Sequence, residues 1–359
     1  MTTTREIYRV EQLPTFQNRM FPTQVAARQC QRGDMVLVQS LQTGLIFNQA
    51  FRPELMQYDQ DYQNEQGLSA RFREHLQSVS QLVKRHFEGL SLIEVGCGKG
   101  QFLEQLSAEG FDVTGIDPTY EGSNPRVVKD YFTPALGLQA QGLVLRHVLE
   151  HVQDPLGFLR SLRESNGGIG RIYIEVPCLD WIASHHAWFD IFYEHVNYFR
   201  LDDFKRMFGT VLDAGHCFGG QYLYVVADLI SLRLPVWQPA LAFDLPSGFM
   251  QAIAEARSQL VAAAPGTARA VWGGASKGVI FSLFMERAGA AIDTVIDINP
   301  AKQGRYLAAT GLQVLSPEDG LARLKPGDDV YVMNSIYLDE IRAATGDQFN
   351  YRLVEHGQI

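Results

Sequence analysis

With 359 residues, 46% of them hydrophobic and 20% charged, the chain has the length of two or three domains with substantial cores and reads as a soluble globular protein. Its formal charge of −9 gives no general electrostatic attraction to nucleic acid or anionic lipid, which leaves a small molecule as the expected partner. No apolar run reaches the roughly 18 to 20 residues that cross a bilayer, and the opening MTTTREIYRVEQLP lacks the apolar stretch of a signal peptide, so a cytoplasmic location is expected.

Residues up to about 68 mix short apolar stretches such as Met35-Val36-Leu37-Val38 with Gln, Asn and Arg and hold no sustained period, which suggests a small strand-containing module. From Phe72 onward Leu76, Val79, Val83 and Phe87 recur at three- to four-residue intervals and predict one face of a helix. Then come the strand Leu92-Ile93-Glu94-Val95, the loop Gly96-Cys97-Gly98-Lys99-Gly100, an amphipathic helix with Phe102, Leu103 and Leu106, and a second strand from Val113 to Ile116 ending at Asp117. A strand at Leu143 to Leu145 precedes Arg146-His147-Val148-Leu149-Glu150-His151. After Pro155 a helix presents Leu156, Leu159 and Leu162, and Ile172 to Val176 is the next strand. Strands alternating with helices imply a parallel sheet whose ligands bind beyond the carboxyl ends of the strands.

After a strand at Tyr222 to Val226 and a Pro-interrupted connection from Leu234 to Ser247, Gly248 to Ala264 reads as a helix. A second series follows: Val271-Trp272 runs into Gly273-Gly274-Ala275-Ser276-Lys277-Gly278 and an apolar helix, with strands at Thr294 to Ile298, Gln313 to Leu315 and Val330 to Met333. The predicted fold is α/β: a small N-terminal module over 1–68, a Rossmann-like domain over 69–230 and a second, smaller α/β domain over 231–359. Cys30, Cys97, Cys178 and Cys217 form no Cys-x-x-Cys pair, so free thiols are expected.

Glycines at 96, 98 and 100 permit a tight turn and a close approach of backbone to ligand. Their spacing is G-x-G-x-G rather than the dinucleotide fingerprint, and Asp117 ends the next strand about where a ribose diol would lie. The pair favours an adenosine ligand without a pyrophosphate. An ordinary βα turn with a solvated Asp is the bland alternative. Ile93 to Gly100 resembles the first motif of class I S-adenosylmethionine-dependent methyltransferases. That resemblance implies S-adenosylmethionine as cofactor, with Asp117 accepting the ribose hydroxyls and Glu94 orienting the loop or facing the cationic end. Gly96, Cys97, Gly98, Gly100, Phe102 and Pro118 would complete this side of the pocket.

His147-Val148-Leu149-Glu150-His151 fits the H-x-x-E-H pattern of some zinc proteases. Zinc would require both histidines on one helix face and a third ligand, whereas Asp154-Pro155 leaves room for a short helical turn at most, so no metal is expected. Methyltransferases carry a similar segment at this position, which implies that Arg146, His147, Glu150 and His151 line the cofactor pocket.

Trp181 to Phe199, WIASHHAWFDIFYEHVNYF, sets His185, His186, Glu194 and His195 among aromatics. Ionisable groups so placed have perturbed pKa values, and a histidine near neutrality suits proton abstraction; a hydrogen-bonded histidine in an aromatic core is the competing account. The segment resembles the Y-H-E-H-x-S-Y-F signature of the sugar C-methyltransferase family, with Glu194-His195 on its Glu-His pair, Tyr198-Phe199 on its Tyr-Phe, Phe192 in place of its Tyr and Tyr193 in place of its first His. Ile298 to Leu307 resembles the family's D-x-N-P-x-K-x-G-R-x-x-P segment, Val271 to Gly278 its W-G-A-G-x-K-G turn, and Tyr58 to Tyr62 with Ser69 to Leu76 the join between its first two domains. The resemblance implies His195 as general base, Glu194 and Tyr193 as its catalytic neighbours, and Tyr62, Tyr198, Lys277 and Arg305 toward the acceptor. The family's zinc-binding cysteines are absent, with Ser40 and Thr43 at the second pair. His147 to His151 stands where family members acting on nucleotide sugars often have N-V-L-A-H.

The Gly273 to Gly278 turn could offer N–H groups to a phosphate, with Lys277, Lys302 or Arg305 adding charge, or could be a structural turn with solvated cations. The expected activity is carbon methylation of a keto-containing small molecule, a nucleotide-linked keto-sugar or related natural-product intermediate, by a monomer or homodimer. The competing readings are an O- or N-methyltransferase, an NAD(P)-dependent oxidoreductase using either glycine turn, and a non-catalytic ligand-binding protein.

Overall fold

A computed structural model of the chain describes residues 3–56 and 67–355; Tyr62, with the Tyr58 to Tyr62 stretch, lies outside the described residues. The apolar period from Phe72 becomes the helix Ala70–Phe87, opened by Ser69, whose hydroxyl accepts from the Phe72 N–H, and it buries Phe72, Leu76, Val79, Val83 and Phe87. That face packs on a seven-stranded sheet in the order Val211–Cys217, Tyr222–Asp228, Arg171–Pro177, Gly142–Arg146, Leu92–Val95, Val113–Ile116 and Val127–Val128. Only Tyr222–Asp228 runs against its two neighbours. It does so because the turn Phe218–Gly220, with Gly219 and Gly220 at φ 65° and 86°, folds the chain straight back from Val211–Cys217. Val211–Cys217 is half-exposed along most of its length at the sheet's edge, so it lacks the apolar run that betrays the inner strands. The strand order reverses between Leu92–Val95 and Gly142–Arg146, and a crevice opens there beyond the carboxyl ends.

The N-terminal strands Thr4–Pro14, Arg32–Ser40 and Ile46–Asn48 form an antiparallel sheet that takes its fourth strand, Asn197–Tyr198, from the aromatic segment, pairing Ile46 with Tyr198. Register shifts between Glu6 and Tyr8 and between Val10 and Leu13 break the alternation of the first strand, which is why no period is visible in its sequence. The third sheet is all parallel, in the order Val314–Leu315, Thr294–Ile296, Arg269–Trp272, Asp329–Val332 and Asn350–Leu353, and reverses between Arg269–Trp272 and Asp329–Val332. The predicted helix before it is shorter than expected, Gln251–Val261. Helix Ser276–Arg287 buries eight consecutive residues from Gly278 to Met285. It is apolar all round because it is sandwiched between its own sheet and Trp188 of the aromatic segment, whose ring lies 5.8 Å from Phe281 and 5.0 Å from Phe284. One core therefore runs through all three sheets. No helix among the described residues is long and apolar enough to cross a membrane.

Candidate functional site

The two strand-order reversals face each other across one cavity of about 470 Å³. Its first wall comes from Glu94, the Gly96 to Lys99 turn, Phe102 and the segment Arg146, His147, Glu150 and His151. The second comes from the Gly273 to Gly278 turn with Asp297, Asn299 and Lys302, and Asn18, Asp190, Phe192 and His195 line the space between.

The two turns are built alike. Gly96 and Gly98 lie at φ 74° and 55°, and the Gly98 N–H donates to Asp117 Oδ2 at 2.8 Å while Asp117 Oδ1 accepts from the Thr119 N–H and hydroxyl. In the second turn Gly274 N–H donates to Asp297 Oδ2 at 2.8 Å, and Asp297 Oδ1 accepts from Asn299 N–H. In each domain the acid ending the second strand ties down the glycine turn ending the first. Asp117 and the following Pro118 stand behind the turn rather than on the cavity wall, as does Gly100, which caps the helix Gln101–Ala108 in a left-handed conformation. Glu94 is buried with Oε2 unpartnered; burial, opposed by the Arg146 charge, pushes its carboxyl up to about 8. Burial likewise raises the Cys97 thiol, to about 12.

Glu175, on the strand beside Gly142–Arg146, organises the next segment. Its carboxylate is fully buried and binds His75 Nε2 at 3.1 Å, an Arg146 guanidinium nitrogen at 3.0 Å, His147 Nε2 at 2.9 Å and the Tyr173 hydroxyl at 2.7 Å. Burial works against its ionisation, yet Arg146, His147 and His75 hold it well below the usual carboxylate range. The other nitrogen of His147 meets Glu150 Oε1 at 3.3 Å. Burial disfavours the charged imidazole, but the two carboxylates overcome it and raise His147 to about 9. His147 holds φ 50°, and its N–H donates to the Glu175 carbonyl. From this bend the short 3₁₀ turn Leu149–His151 carries Glu150 and His151 into the cavity. Glu175 and His75 escaped the sequence reading; an acid inside an apolar strand and a histidine on the buried face of a helix were the available signals.

His195 sits on the cavity wall with its ring 4.0 Å from Phe192 and 5.0 Å from His151. Desolvation first, then the neighbouring His151, His147 and Lys277, push it well below the ordinary histidine value, so it is a neutral imidazole at pH 7. His151 Nδ1 lies 2.8 Å from the Glu194 carbonyl, which it meets as donor. The other segment residues have structural partners. The Glu194 carboxylate accepts from the Gln17 and Asn18 backbone N–H groups, the latter at 3.0 Å. The Tyr193 hydroxyl accepts from Arg52 N–H at 2.9 Å while its ring packs on Phe51. The Tyr198 hydroxyl spans the Phe192 N–H and carbonyl. None of these three side chains lines the cavity, and neither does Arg305.

Lys277 does line it, but its ammonium is held 3.1 Å from Asp190 and 2.9 Å from Gln221, over the Trp181 ring. Lys302 pairs with Asp297 at 3.4 Å. Among the described residues two groups have metal-ligand donor types within 4.8 Å of one another, His75–Glu175–Cys217 and Glu150–His151–His195. The first is consumed by the Glu175 bonds, and the second opens on the cavity.

Residues 68–211 match the family described as "Methyltransferase domain". A ubiquinone biosynthesis O-methyltransferase of Cereibacter sphaeroides is 36% identical over 92 residues, 22% of this chain and 37% of that protein. Its counterpart in Caulobacter vibrioides is 33% identical over 90 residues, 21% and 36%. The chain thus spans little more than a third of the length of these curated relatives. Among solved structures, a SAM-dependent methyltransferase from Archaeoglobus fulgidus is 19% identical, covering 45% of this chain and all of that one with a TM-score of 0.34. The 1,6-didemethyltoxoflavin-N1-methyltransferase of Burkholderia thailandensis, bound to S-adenosylhomocysteine, is 16% identical, covering 43% and 77% with a TM-score of 0.34. Residues 68–211 are an S-adenosylmethionine-dependent class I methyltransferase domain.

Proposed function

We propose that the chain transfers a methyl group from S-adenosylmethionine to a carbon beside a carbonyl in a keto-containing small molecule, of the nucleotide-linked keto-sugar or related natural-product type, with His195 as general base. The observation that carries this reading is a neutral imidazole on the wall of a cavity between two glycine turns, one of them in the methyltransferase domain. The cofactor half fits an adenosyl cation: glycines in left-handed conformations leave backbone room, and the unpartnered, buried Glu94 oxygen offers an acceptor to positive charge. When bound, S-adenosylmethionine supplies an electrophilic methyl on a sulfonium.

His195 takes the proton from the acidic carbon, leaving the electron pair of the broken C–H bond on that carbon as the nucleophile; bound S-adenosylmethionine would supply the methyl group to it and be left as a thioether. His151, fixed by the Glu194 carbonyl, and Glu150 border the base, so the imidazolium formed has an anion nearby to offset its charge. Holding acceptor and donor together supplies much of the acceleration, up to roughly 10⁵ to 10⁸ M in effective molarity. The opposite half offers Lys277 and the Gly273 to Gly278 turn to the far end of the acceptor, and the chain divides functionally near residues 68 and 230.

The grouping of Glu150, His151 and His195 also suits deprotonation of a hydroxyl or amine, the O- or N-methylation reading. Mass spectrometry with labelled S-adenosylmethionine and a panel of nucleotide-linked keto-sugars and other ketones tests the first reading through a carbon-methylated product. Deuterium wash-in at the acceptor carbon, lost in His195→Ala, separates it from the second. Methyl transfer by His195→Ala at the wild-type rate would refute the assignment of the base.

A further inference from the structure

Glu150, His151 and His195 each bring one ligand atom to a cluster within 4.8 Å, on the cavity wall. The H-x-x-E-H spacing does not foretell this set. Its first histidine, His147, is bridged between Glu150 and Glu175, and the third place in the cluster is taken by His195 of the aromatic segment. Two of the three are already oriented as ligands. Glu150 is buried, at 1% exposure; His147 meets its Oε1 at 3.3 Å, and its Oε2 has no hydrogen-bond partner. His151 donates from Nδ1 to the Glu194 carbonyl at 2.8 Å, which leaves the lone pair on Nε2. Hydrogen bonds of this kind on the far side of a ligand are the usual outer support of a metal site. A buried carboxylate oxygen is costly to leave unmet, and Lys277, on the same cavity, is held in an ion pair with Asp190.

Two imidazole nitrogens and one carboxylate oxygen, with the cavity open to a fourth ligand, suit a borderline cation such as zinc. Magnesium and calcium favour all-oxygen shells. Tetrahedral zinc bonds of about 2.0 to 2.2 Å set ligand atoms roughly 3.3 Å apart, so the side chains need to draw in by about 1.5 Å at most. We propose that Glu150, His151 and His195 bind zinc in the acceptor-free protein, and that the bound ion blocks methyl transfer by occupying the His195 lone pair. The site stands on its geometry; the blocking rests on the reading of His195 as general base. A neutral imidazole has one nitrogen with a lone pair, so it cannot hold the ion and take a proton from carbon at once.

The test begins with calorimetric titration of the full chain, free of acceptor, with zinc and with magnesium. Zinc should bind at this site roughly 100-fold or more tightly than magnesium. Glu150→Gln and His195→Ala should each weaken zinc by at least about 100-fold, since loss of an outer partner alone costs about 10- to 100-fold. Equal zinc affinity in the wild type and both variants places the ion elsewhere and overturns the site. Cobalt(II) in place of zinc examines the wild type without any variant: the intense visible bands of four-coordination are expected, and only the weak bands of six-coordination would overturn the ligand set. For the blocking, deuterium wash-in at the carbon of nucleotide-linked keto-sugars and other ketones should stop when zinc is added to the metal-free chain and return with a chelator. Wash-in that persists on the zinc-loaded protein, or that zinc increases, overturns the blocking. No wash-in by the metal-free chain sinks the base reading, and the blocking with it, while the titrations still decide the site.

Discussion

The side-chain amides of Gln221 and Asn334 hydrogen-bond to each other in both directions, Gln221 Nε2 to Asn334 Oδ1 at 2.6 Å and Asn334 Nδ2 to Gln221 Oε1 at 2.8 Å. Gln221 closes the last hairpin of the seven-stranded sheet, and Asn334 follows the strand Asp329–Val332 at the reversal of the C-terminal sheet. Both are buried, and Gln221 also accepts from Lys277. The pair therefore links the seven-stranded sheet to the C-terminal sheet beside the cavity and holds Lys277 at the same time.

Gln221→Ala should destabilise the protein by about 1 to 3 kcal/mol, because the Asn334 Nδ2 donor loses its acceptor while remaining buried, although Asn334 Oδ1 keeps the Ile336 N–H. Lys277 loses an acceptor but keeps Asp190, so its position should relax without reversing. Urea unfolding measures the first effect. A variant as stable as the wild type would show that water replaces the amide without penalty.

Gly96 and Gly98 belong to one turn but should respond differently to alanine. Both occupy left-handed backbone, which costs a non-glycine residue about 1 to 2 kcal/mol. At Gly98 a Cβ meets nothing within 4 Å, whereas at Gly96 it runs into the Val148 side chain. Gly98→Ala should cost only the backbone term, and Gly96→Ala should add about 1 to 3 kcal/mol of overpacking and displace the His147 to His151 segment. Equal denaturation midpoints for the two variants would contradict this.

What could be read from the chain beforehand divides along the same physical line. The glycine turns, the helix from Phe72 and His195 announce themselves through neighbours a few residues away, because helix and strand periods are local. Glu175 with His75, Gln221 with Asn334 and Glu194 with Asn18 meet across 100, 113 and 176 residues, and nothing local marks one member as the other's partner. The Glu194-His195 pair shows the limit most clearly: adjacent in sequence, they turn opposite ways, His195 to the cavity and the Glu194 carboxylate to the N-terminal sheet's return segment. The turn at Tyr193-Glu194, closed by the His195 N–H donating to the Phe192 carbonyl, separates the two side chains before the strand Asn197–Tyr198 begins.

Because the Glu194 carboxylate accepts from the Gln17 and Asn18 amides, Glu194→Ala should uncouple the N-terminal segment from the site. Two buried N–H groups lose an acceptor, at roughly 1 to 3 kcal/mol each. Glu194→Gln, which retains one carbonyl oxygen, should recover much of the loss. Hydrogen exchange at the Gln17 and Asn18 amides is the direct measure, expected to quicken in the alanine variant and little in the glutamine one. Affinity for S-adenosylhomocysteine should be unchanged in both, since Glu194 does not line the cavity.

Glu94 gives the ligand-free protein a pH dependence of definite sign. Its carboxyl is raised by burial from an ordinary 4.5 to about 8, so the folded state holds a proton that the unfolded chain has released between those values. The contribution of the neutral form is complete below about pH 4.5 and is lost as pH rises toward 8, with a slope of up to about 1.4 kcal/mol per pH unit from this one group. Glu94→Gln keeps the shape and removes the titration. The difference in unfolding free energy between Glu94→Gln and the wild type should therefore grow in favour of the variant from pH 5 to pH 8. Added S-adenosylmethionine, by bringing positive charge to the Glu94 oxygen, should narrow that difference in the same window. A difference that stays flat with pH would mean that Glu94 is ionised throughout, with Arg146 and solvent meeting its charge.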